Sequence, residues 1–569
     1  MSADKKKVVG LRVFPRAAIS LLALLLLACG ARAGAAQQSA AIASAHPLAT
    51  EAGRSVLEHG GNAFDAAVAV AAALAVVEPY SSGLGGGGFF LLHRASDHKQ
   101  VMIDARETAP GGVTQAQYFD VAGQPIPGAT IRGGTAAAIP GLPAGIAHVA
   151  QRYGRLPLAQ VLAPAVRLAR EGFAVDARYT RLSQSRERFL QTGVNTEVFL
   201  DRGQAPRPGF VLRQPELAHT LERLARFGAA GFYDGPVARS LVETVNDAGG
   251  AWRLSDLASY QVREREPVRF TYRGAKVTSA ALPSAGGVAL AQSLGMLEHF
   301  TLQKLGEPAT DHLVTEALRR AFHDRSRYLG DSDFVPVPVA RLISGEYTRR
   351  TARDIDPVRA TKSDTLGEEK RPRAESDNTT HFSIVDAEGN RVAATLTINL
   401  LFGSGLVAAG TGVLLNNEMD DFSLRSDLSN AFRLRGGLAN AIAPGKRPLS
   451  SMTPTFVEDE KGVLILGAPG GSRIVSQVLL AILEYLRSPE VDVKQLVAMP
   501  RYHHQYWPDV LEVEPEGFSQ EWRAAMTAKG HQLQAANRQW GNMQAVFKAK
   551  RGGLAQAASD PRAESVTAN

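Results

Sequence analysis

The feature that most constrains this fold is an apolar helix near the start of the chain. Residues 63–77 read AFDAAVAVAAALAVV, in which Asp65 is the single charged residue. A helix that is apolar on every side has to be buried on every side, and Asp65 suits its first turn. We therefore expect a large core, which a chain of 569 residues, 45% of them hydrophobic, can supply.

Predicted strands alternate with helices along the rest of the chain. Residues 380–385 and 391–400 alternate between apolar and polar residues around a turn at 387–390, which is a strong hairpin signal. Other expected elements are strands at 89–93, 101–104, 411–415, 453–457 and 462–466, a helix at 474–487, and helical periodicity over about 140–260 and 309–330. This mixture predicts an α/β or α+β fold with layered sheets flanked by helices.

The first 33 residues have the layout of a secretory signal peptide. Six basic residues and one acidic residue surround an apolar run at 17–28, so most of the formal net charge of +7 lies in this leader. The run is shorter than the ~20 residues that a membrane-spanning helix needs. We therefore expect an exported protein, periplasmic or extracellular, and the basic balance gives no reason to expect a nucleic-acid partner.

Two cleavage sites compete at the end of the leader. Ala31-Arg32-Ala33 before Gly34 has the small-x-small form that signal peptidase requires, whereas Leu26-Leu27-Ala28-Cys29 resembles a lipobox. In the second case Cys29 is lipidated, and this anchor is the only membrane attachment we expect. Cys29 is also the single cysteine of the chain, which excludes an intrachain disulfide and a thiolate metal cluster.

Two motifs are interpreted as structural. Gly83, Gly85 and Gly88 match G-x-G-x-x-G, but they follow a predicted helix and precede a predicted strand, the reverse of a dinucleotide-binding turn. They are better explained by close approach of the backbone. The pair His503-His504 has no further spaced ligand and is expected to be a structural or surface pair. We therefore expect neither a metal nor a cofactor.

The junction at Asn378-Thr379 is the strongest candidate for chemistry. Residues 354–378 carry charges, Pro and Gly, and a predicted strand begins immediately after them. The simple explanation is that Thr is common in strands. The alternative is that the chain cuts itself before Thr379. A free α-amine, with a pKa of roughly 7.7–8.0, then serves as the base for the hydroxyl nucleophile on the same residue.

Polar residues elsewhere in the sequence suit a site around Thr379. Arg106 follows a strand and is suited to binding a carboxylate, and the turn containing Gly470 and Gly471 enters a helix and is suited to an oxyanion hole. The remaining candidates are hydroxyls, amides and acids near predicted strand ends: Thr397, Asn399, Glu418, Asp421, Ser450 and Ser451.

Taken together, these motifs resemble the γ-glutamyltransferase family of N-terminal-nucleophile hydrolases. The matching stretches, which extend from about Ala45 to near the C-terminus, are GNAFDAAVA, SGLGGGGF, DARETAP, TTHFSIVD, LLNNEMDDF, KRPLSSMTPT and GAPGGSRI. The resemblance implies a four-layer αββα sandwich, made as a precursor that cleaves itself between Asn378 and Thr379. It implies a heterodimer of a large subunit, 34–378, and a small catalytic subunit, 379–569, in one sandwich domain.

The resemblance also implies residue roles. Thr379 attacks the γ-carbonyl of glutathione or a related γ-glutamyl compound, and water or an acceptor amino acid or peptide resolves the ester. Thr397 bonds the nucleophile, and Gly470 and Gly471 form the oxyanion hole. Residues of the binding pocket divide between the substrate α-carboxylate (Arg106, Ser450, Ser451) and its α-amine (Asn399, Glu418, Asp421). These charges fit a carboxylate and an ammonium on one carbon.

Two stretches depart from the family pattern. The segment between Asp421 and Ser450 is long enough for the lid loop of bacterial members, but Phe432 stands where several of them have tyrosine. Residues 282–287 (LPSAGG) are a weakened form of the family stretch PPSSGG, and we expect little effect because they match no substrate contact.

Two other functions remain open. The first is an acylase of the same fold that acts on β-lactam side chains such as glutaryl groups. The acids Glu418 and Asp421 argue against it, because a glutaryl group lacks the α-amine. The second is an inactive secreted binding protein, which requires the precursor to stay uncut.

Overall fold

A computed structural model describes residues 40–191, 195–367, 378–425, 428–434, 436–550 and 554–564. The predicted leader, with Cys29 and both cleavage sites, lies outside the described residues, as do positions 368–377 of the charged stretch before Asn378. Within the described ranges, no helix is both long enough and apolar enough to cross a membrane.

Two six-stranded sheets, antiparallel throughout, form the centre of the molecule. Sheet I has the order β1-β7-β8-β2-β3-β4, with β1 Ala41–Ser44, β2 Gly87–Arg94, β3 Lys99–Ala105, β4 Arg263–Arg265, β7 Thr380–Val385 and β8 Arg391–Thr397. Sheet II has the order β12-β11-β10-β9-β6-β5, with β5 Val268–Tyr272, β6 Ala275–Ser279, β9 Thr455–Glu458, β10 Gly462–Gly467, β11 Gln544–Ala549 and β12 Gln556–Ser559.

Helices cover the outer face of each sheet. The longer ones are α1 Pro47–Glu58, α2 Ala63–Val77, α3 Leu142–Tyr153, α4 Leu158–Glu171, α5 Pro215–Phe227, α6 Gly235–Asp247, α7 Gly286–Leu297, α8 Glu307–Tyr328, α9 Arg473–Arg487 and α10 Gln520–Ala528. Shorter helices include Ala177–Ser185, Gly345–Arg353 and Val493–Ala498. Helices α2 and α3 contact sheet I, α7 and α9 contact sheet II, and the two sheets pack on each other. The architecture is therefore the four-layer αββα sandwich that the family resemblance implies.

The alternating side chains of sheet I face two different cores. Phe90 and Phe382 point into the core shared with α2, whereas Phe89 and Leu91 point into the core shared with sheet II. Both faces of the central strands are therefore buried. All fifteen residues of α2 are buried as well, and Asn62 and Asp65 form a capping box at its N-terminus.

The glycine-rich stretch before β2 allows the backbone of sheet I to pack closely. A Cβ on Gly86 would lie 2.1 Å from the carbonyl oxygen of Thr397, and one on Gly88 would lie 2.3 Å from that of Thr395. Only glycine fits at either position. The structural interpretation of this motif is thus confirmed.

The central hairpin is confirmed, but its second strand ends earlier than expected. β8 stops at Thr397 rather than 400, because Asn399 adopts a positive φ of 71°. The strand expected at 411–415 is only Val413–Leu414, in a small separate ribbon. The sequence interpretation also left β5, β6, β11 and β12 unassigned. These strands flank β9 and β10, which supply the centre of sheet II, and they contain more polar residues.

Candidate active site

A cavity lies at the end of the central hairpin, where β7 begins and β8 ends. Its lining comes from the end of β8, from helices α8 and α9, from the residue that precedes β7, and from the segments that follow β3, β8 and β10: Arg106, Arg325, Thr379, Thr397, Asn399, Glu418, Asp421, Phe432, Leu434, Leu449, Ser450, Ser451, Met452, Gly471 and Ile474. Nine of these are residues that the sequence predicted for the site. The two other predicted residues, Asn378 and Gly470, directly precede Thr379 and Gly471 in the chain.

Thr379 is placed by the register of the hairpin. Thr380 pairs with Leu396, so Thr379 and Thr397, each one residue beyond this pair, lie opposite one another. The Thr379 side chain is buried, and its Oγ1 hydroxyl donates a hydrogen bond to the carbonyl oxygen of Asn378. Its φ is +154°, an unfavourable value for a β-branched residue. The nucleophile proposed from the sequence therefore touches the peptide bond that it is expected to cut.

The neighbouring residue Thr380 fixes the start of β7 to the large buried helix. Its hydroxyl donates to Oε2 of Glu78 at 2.7 Å, and Glu78 also accepts hydrogen bonds from Tyr80 and Arg178. Glu78 directly follows α2 and is fully buried. This network holds the strand that carries Thr379 in place.

The turn between β10 and α9 brings two glycines toward Thr379. Gly470 and Gly471 have positive φ angles of 126° and 55°. A Cβ on Gly471 would lie 2.3 Å from the Phe432 ring, so this ring packs directly against the glycine backbone. Phe432 belongs to the segment expected to form a lid, and it covers this side of the cavity.

Arg106 forms the centre of a buried charged cluster. It directly follows β3, and its side chain is 1% exposed. One terminal nitrogen donates to Asp421 at 2.6 Å and the other to the Glu418 carboxylate, while Nε donates to the Pro448 carbonyl at 3.2 Å. The sequence assigned Arg106 and the two acids to opposite groups of a substrate, but the structure pairs them with one another.

The electrostatics of this cluster are dominated by burial. Burial raises the pKa of Glu418 well above its ordinary value, although the neighbouring Arg106 lowers it. Burial likewise raises the pKa of Glu107, whose Oε2 lies 3.5 Å from an Arg106 nitrogen. For Arg106, burial opposes protonation, but Glu418, Glu107 and Asp421 together raise its pKa. The cluster is therefore an excess of acids gathered around one guanidinium.

Asparagine side chains shape the loops beside this cluster. The backbone N–H of Asn399 donates to Thr397 Oγ1 at 2.8 Å, and its side-chain amide donates to the Asn417 carbonyl at 2.8 Å. Asn416 donates to the carbonyls of Gly85 and Ala138 and accepts from the backbone N–H of Glu418. These side-chain bonds hold the loop backbone where no β-ladder does so. They fix the turn from which Glu418 and Asp421 face the cavity.

Ser450 and Ser451 enter the cavity just before β9. The weakened motif at 282–287 lies directly behind them. Ser450 donates from its N–H to the Pro283 carbonyl at 2.8 Å and accepts from the N–H of Ala285 at 2.9 Å. The motif therefore positions the serine pair, and its lack of substrate contact stays a prediction.

Comparisons with known proteins agree with this geometry. A family model described as Gamma-glutamyltranspeptidase matches residues 49–569. The glutathione hydrolase proenzyme of Escherichia coli (strain K12) is 40% identical over 526 residues, which cover 92% of this chain and 90% of that protein. The chain belongs to the gamma-glutamyltranspeptidase family.

Solved structures are similar to this chain in fold as well as in sequence. Helicobacter pylori gamma-glutamyltranspeptidase is 40% identical with a TM-score of 0.54, covering 56% of this chain and 91% of that one. A cephalosporin acylase from Bacillus halodurans has a TM-score of 0.80 at 27% identity, covering 92% of this chain and 94% of that one. The fold of the gamma-glutamyltranspeptidases is thus shared with an acylase.

Sequence reasoning missed one charged residue of the cavity in this family member, Arg325. It lies in the last turn of α8, within the stretch whose alternating charges indicated only a helix. A signal was present, because Arg325 follows the buried Ala321 and Phe322 by four and three residues and so lies on the apolar face. A charged residue on such a face requires an explanation.

One group of described residues has the spacing of a metal site, namely His312, Glu316 and His531. His312 and His531 hydrogen-bond to each other at 2.8 Å, and His312 Nε2 bonds the Asp356 carbonyl. The Glu316 carboxylate accepts from two arginines on the same helix. Because these ligand atoms are already bonded and two guanidinium groups lie beside them, the group does not favour a cation.

His503 and His504 are buried and bonded to Ser476, Gln505 and Asp509, as expected for a structural pair.

Proposed function

We propose that this chain is the precursor of an exported γ-glutamyltransferase and glutathione hydrolase. It cleaves itself between Asn378 and Thr379, and Thr379 then transfers γ-glutamyl groups to water, amino acids or peptides. Family membership supports the activity. The observation that carries the proposal is the contact of the Thr379 hydroxyl with the Asn378 carbonyl, in the cavity that also contains Arg106 and two acids.

The geometry of Thr379 supports self-cleavage. In this step Oγ1 bonds to the Asn378 carbonyl carbon, the C–N bond breaks as the nitrogen takes up a proton, and water hydrolyses the resulting ester. The positive φ of Thr379 represents about 1–3 kcal/mol of backbone strain, which cleavage releases. The products are a large subunit, 34–378, and a small subunit, 379–569, which remain paired because β7 and β8 of the small subunit lie between β1 and β2 of the large subunit in sheet I.

Cleavage frees the base that the transfer reaction needs. The new α-amine of Thr379 takes the proton of its own hydroxyl as Oγ1 attacks the γ-carbonyl of glutathione or another γ-glutamyl compound. The γ-glutamyl ester is then resolved by water or by an acceptor amine, which restores the hydroxyl. Gly470 and Gly471 stabilise the oxyanion with backbone N–H groups, and Thr397 orients the nucleophile.

The charged cluster matches the two groups on the α-carbon of a γ-glutamyl donor. Arg106, Ser450 and Ser451 bind the α-carboxylate, and Asn399, Glu418 and Asp421 bind the α-amine. Binding therefore requires the substrate ammonium and carboxylate to insert into the ion pairs between Arg106 and the acids, which exchanges each buried pair for another.

The leader at the start of the chain gives the proposed location of the protein. The leader delivers the protein to the periplasm or the cell exterior, with release after Ala33 or lipid anchoring through Cys29. The substitution Cys29→Ser distinguishes release from anchoring. A lipid-anchored protein should move from the membrane fraction to the soluble fraction, whereas a protein released after Ala33 should not change its fraction.

An acylase is the second candidate, because an acylase shares the fold across nearly the whole chain. The cavity favours a donor with an α-amine, since Glu418 and Asp421 line it and a glutaryl group offers them no cation. Rates on L-γ-glutamyl-4-nitroanilide and glutaryl-4-nitroanilide compare the two directly. Faster release from the glutaryl compound would overturn the γ-glutamyl proposal.

A gel and a turnover assay test the main proposal. On a denaturing gel, residues 379–569 are 191 of 569 residues in a 60.7 kDa chain, so the small subunit is about 20 kDa. A single band of the mature length would overturn it. Nitroaniline release from L-γ-glutamyl-4-nitroanilide, with and without glycylglycine, separates hydrolysis from transfer. The rate should rise through neutral to mildly alkaline pH as the α-amine loses its proton.

A further inference from the structure

Arg325 is a second arginine of the active-site cavity, beside the cluster around Arg106. It lies in the last turn of α8 and is 4% exposed. It shares the cavity lining with Thr379, Ser450 and Ser451. The end of α8 also contacts the lid segment, since the following residue, Ser326, accepts a backbone hydrogen bond from Gly437.

The Arg325 side chain makes no hydrogen bond or ion pair with any residue that the structure describes, and its Nε is fully buried without a partner. Arg106 differs in this respect, because it donates to Pro448, Glu418 and Asp421. Buried guanidinium groups are almost always paired, so an unpaired one at a cavity points to a bound anion.

The charge of the cavity leads to the same conclusion. Glu418 and Asp421 already compensate Arg106, whereas Arg325 has no acid in contact. Burial lowers the pKa of Arg325 to about 10, with Asp421 raising it and Arg106 lowering it further, so it stays protonated at neutral pH. Among the described residues, Arg325 is therefore a protonated guanidinium of the cavity that has no ion-pair partner.

A second unsatisfied donor lines the same cavity. The Ser451 hydroxyl is buried and has no hydrogen-bond partner among the described residues. Two unsatisfied donors, one of them cationic, fit an acceptor with two oxygens. A carboxylate has this form, and the proposed donor carries one on its α-carbon.

We propose that Arg325 is a further substrate-binding residue, whose guanidinium binds the α-carboxylate of the γ-glutamyl donor together with Ser451. This inference rests on the proposed function, because it takes the donor from it. Arg106 then contacts both the donor carboxylate and the two acids that bind the donor amine. Arg325 supplies a second positive charge for the carboxylate, and no acid pairs with it among the described residues.

The test compares Arg325→Gln and Arg325→Lys with Arg327→Gln, an exposed arginine in the same turn of α8. Two anilides differ only in the carboxylate, namely L-γ-glutamyl-4-nitroanilide and 4-aminobutyryl-4-nitroanilide. For Arg325→Gln we expect kcat/KM on the γ-glutamyl anilide to fall about 10- to 100-fold, mainly through KM, since a charge-assisted hydrogen bond is lost. Its kcat/KM on the 4-aminobutyryl anilide should stay within about twofold, because the bond is absent there from the start.

Arg325→Lys should recover part of the lost affinity, because it keeps the charge but not the two-pronged geometry. It also provides the test if Arg325→Gln is not processed into two subunits. The proposal is overturned if either variant loses the same factor on both anilides, if KM does not change, or if Arg327→Gln reproduces the effect.

A calorimetric titration separates this proposal from the proposed function. L-Glutamate should bind the processed wild-type protein at least about tenfold more tightly than it binds processed Arg325→Lys. 4-Aminobutyrate, which lacks the α-carboxylate, should bind the two proteins with equal affinity. A wild-type protein that fails to turn over the γ-glutamyl anilide refutes the proposed function, but the titration needs no turnover. Equal L-glutamate affinity in wild type and variant, or no binding to the wild type, overturns the role of Arg325.

Discussion

Helix α8 carries a cluster of buried charge along its middle and a second charged site in its last turn. The helix cluster consists of His312, Glu316, Arg319, Arg320 and His531, and the cavity cluster consists of Arg106, Glu418, Asp421, Ser451 and Arg325. In the helix cluster every buried side-chain donor and acceptor is bonded to a described residue. In the cavity cluster, Glu418 Oε2, Ser451 Oγ and Arg325 Nε have no such partner.

This difference separates a structural role from a functional one. A buried polar group without a partner costs about 1–3 kcal/mol, so it persists only where something else requires it. In the helix cluster the bonds connect α8 to the segments around Asp356 and Thr361 and to the loop at His531. In the cavity cluster, the unpaired polar atoms are available to bind a ligand.

The largest effect is expected from Thr379→Ala, in the cavity. It should abolish both cleavage and turnover, because hydroxyl and base belong to the same residue, while Thr379→Ser should retain both in part. A denaturing gel and anilide release measure the two properties. A Thr379→Ala protein that still splits between 378 and 379 would show that another group performs the cleavage.

Glu316→Gln probes the helix cluster. It removes the acid of Arg320 and one of the two acids of Arg319, which keeps Asp509, and should lower the free energy of unfolding by about 3–5 kcal/mol, with KM unchanged in the folded fraction. Thermal melts followed by fluorescence measure the loss, and Glu460→Gln, in an exposed turn, is the control. A changed KM with an unchanged melt would remove the distinction between the clusters.

Ser451→Ala tests the cavity cluster in the opposite sense. The hydroxyl makes no bond to a described residue, so stability should not fall. KM for the γ-glutamyl anilide should rise about tenfold, since one hydrogen bond to the donor carboxylate is lost. A lower melting temperature with an unaltered KM would make Ser451 a structural residue.

Acid should weaken the helix cluster and the histidine that adjoins it. Burial lowers the pKa of His531 to about 3 and that of His504 to about 4, whereas an unfolded histidine titrates near 6.5. The unfolded state therefore binds protons first, and stability present above pH 6.5 is lost as pH falls toward 4. The loss is at most about 1.4 kcal/mol per pH unit for each histidine.

Melting temperatures between pH 7.5 and 5 measure this slope. His531→Gln should flatten it, and His59→Gln, at an exposed histidine, should not. A slope that neither variant changes would assign the acid sensitivity to other groups.

Much of the fold followed from short-range pattern. The apolar run at 63–77, the hairpin at Thr380–Val385 and Arg391–Thr397, and the helix beginning at Arg473 were each predictable, because periodicity reports which faces are buried. The strands of sheet II at Val268–Tyr272 and Gln544–Ala549 were not, because polar residues interrupt their alternation and their pairing partners are distant in sequence.

The sequence by itself determined most of the polar residues that gather around Thr379, because each lies in a local motif at the end of a strand or in a turn. Only the tertiary structure decided how they pair. Arg106 binds the two acids, and Arg325, an unremarkable position in a charged helix, emerges as the unpaired cation of the cavity. Arg106 and its two acids lie 312 and 315 residues apart in the chain, and Arg325 reaches the cavity through the packing of α8. A local sequence pattern reports which faces are buried but not which distant residues meet.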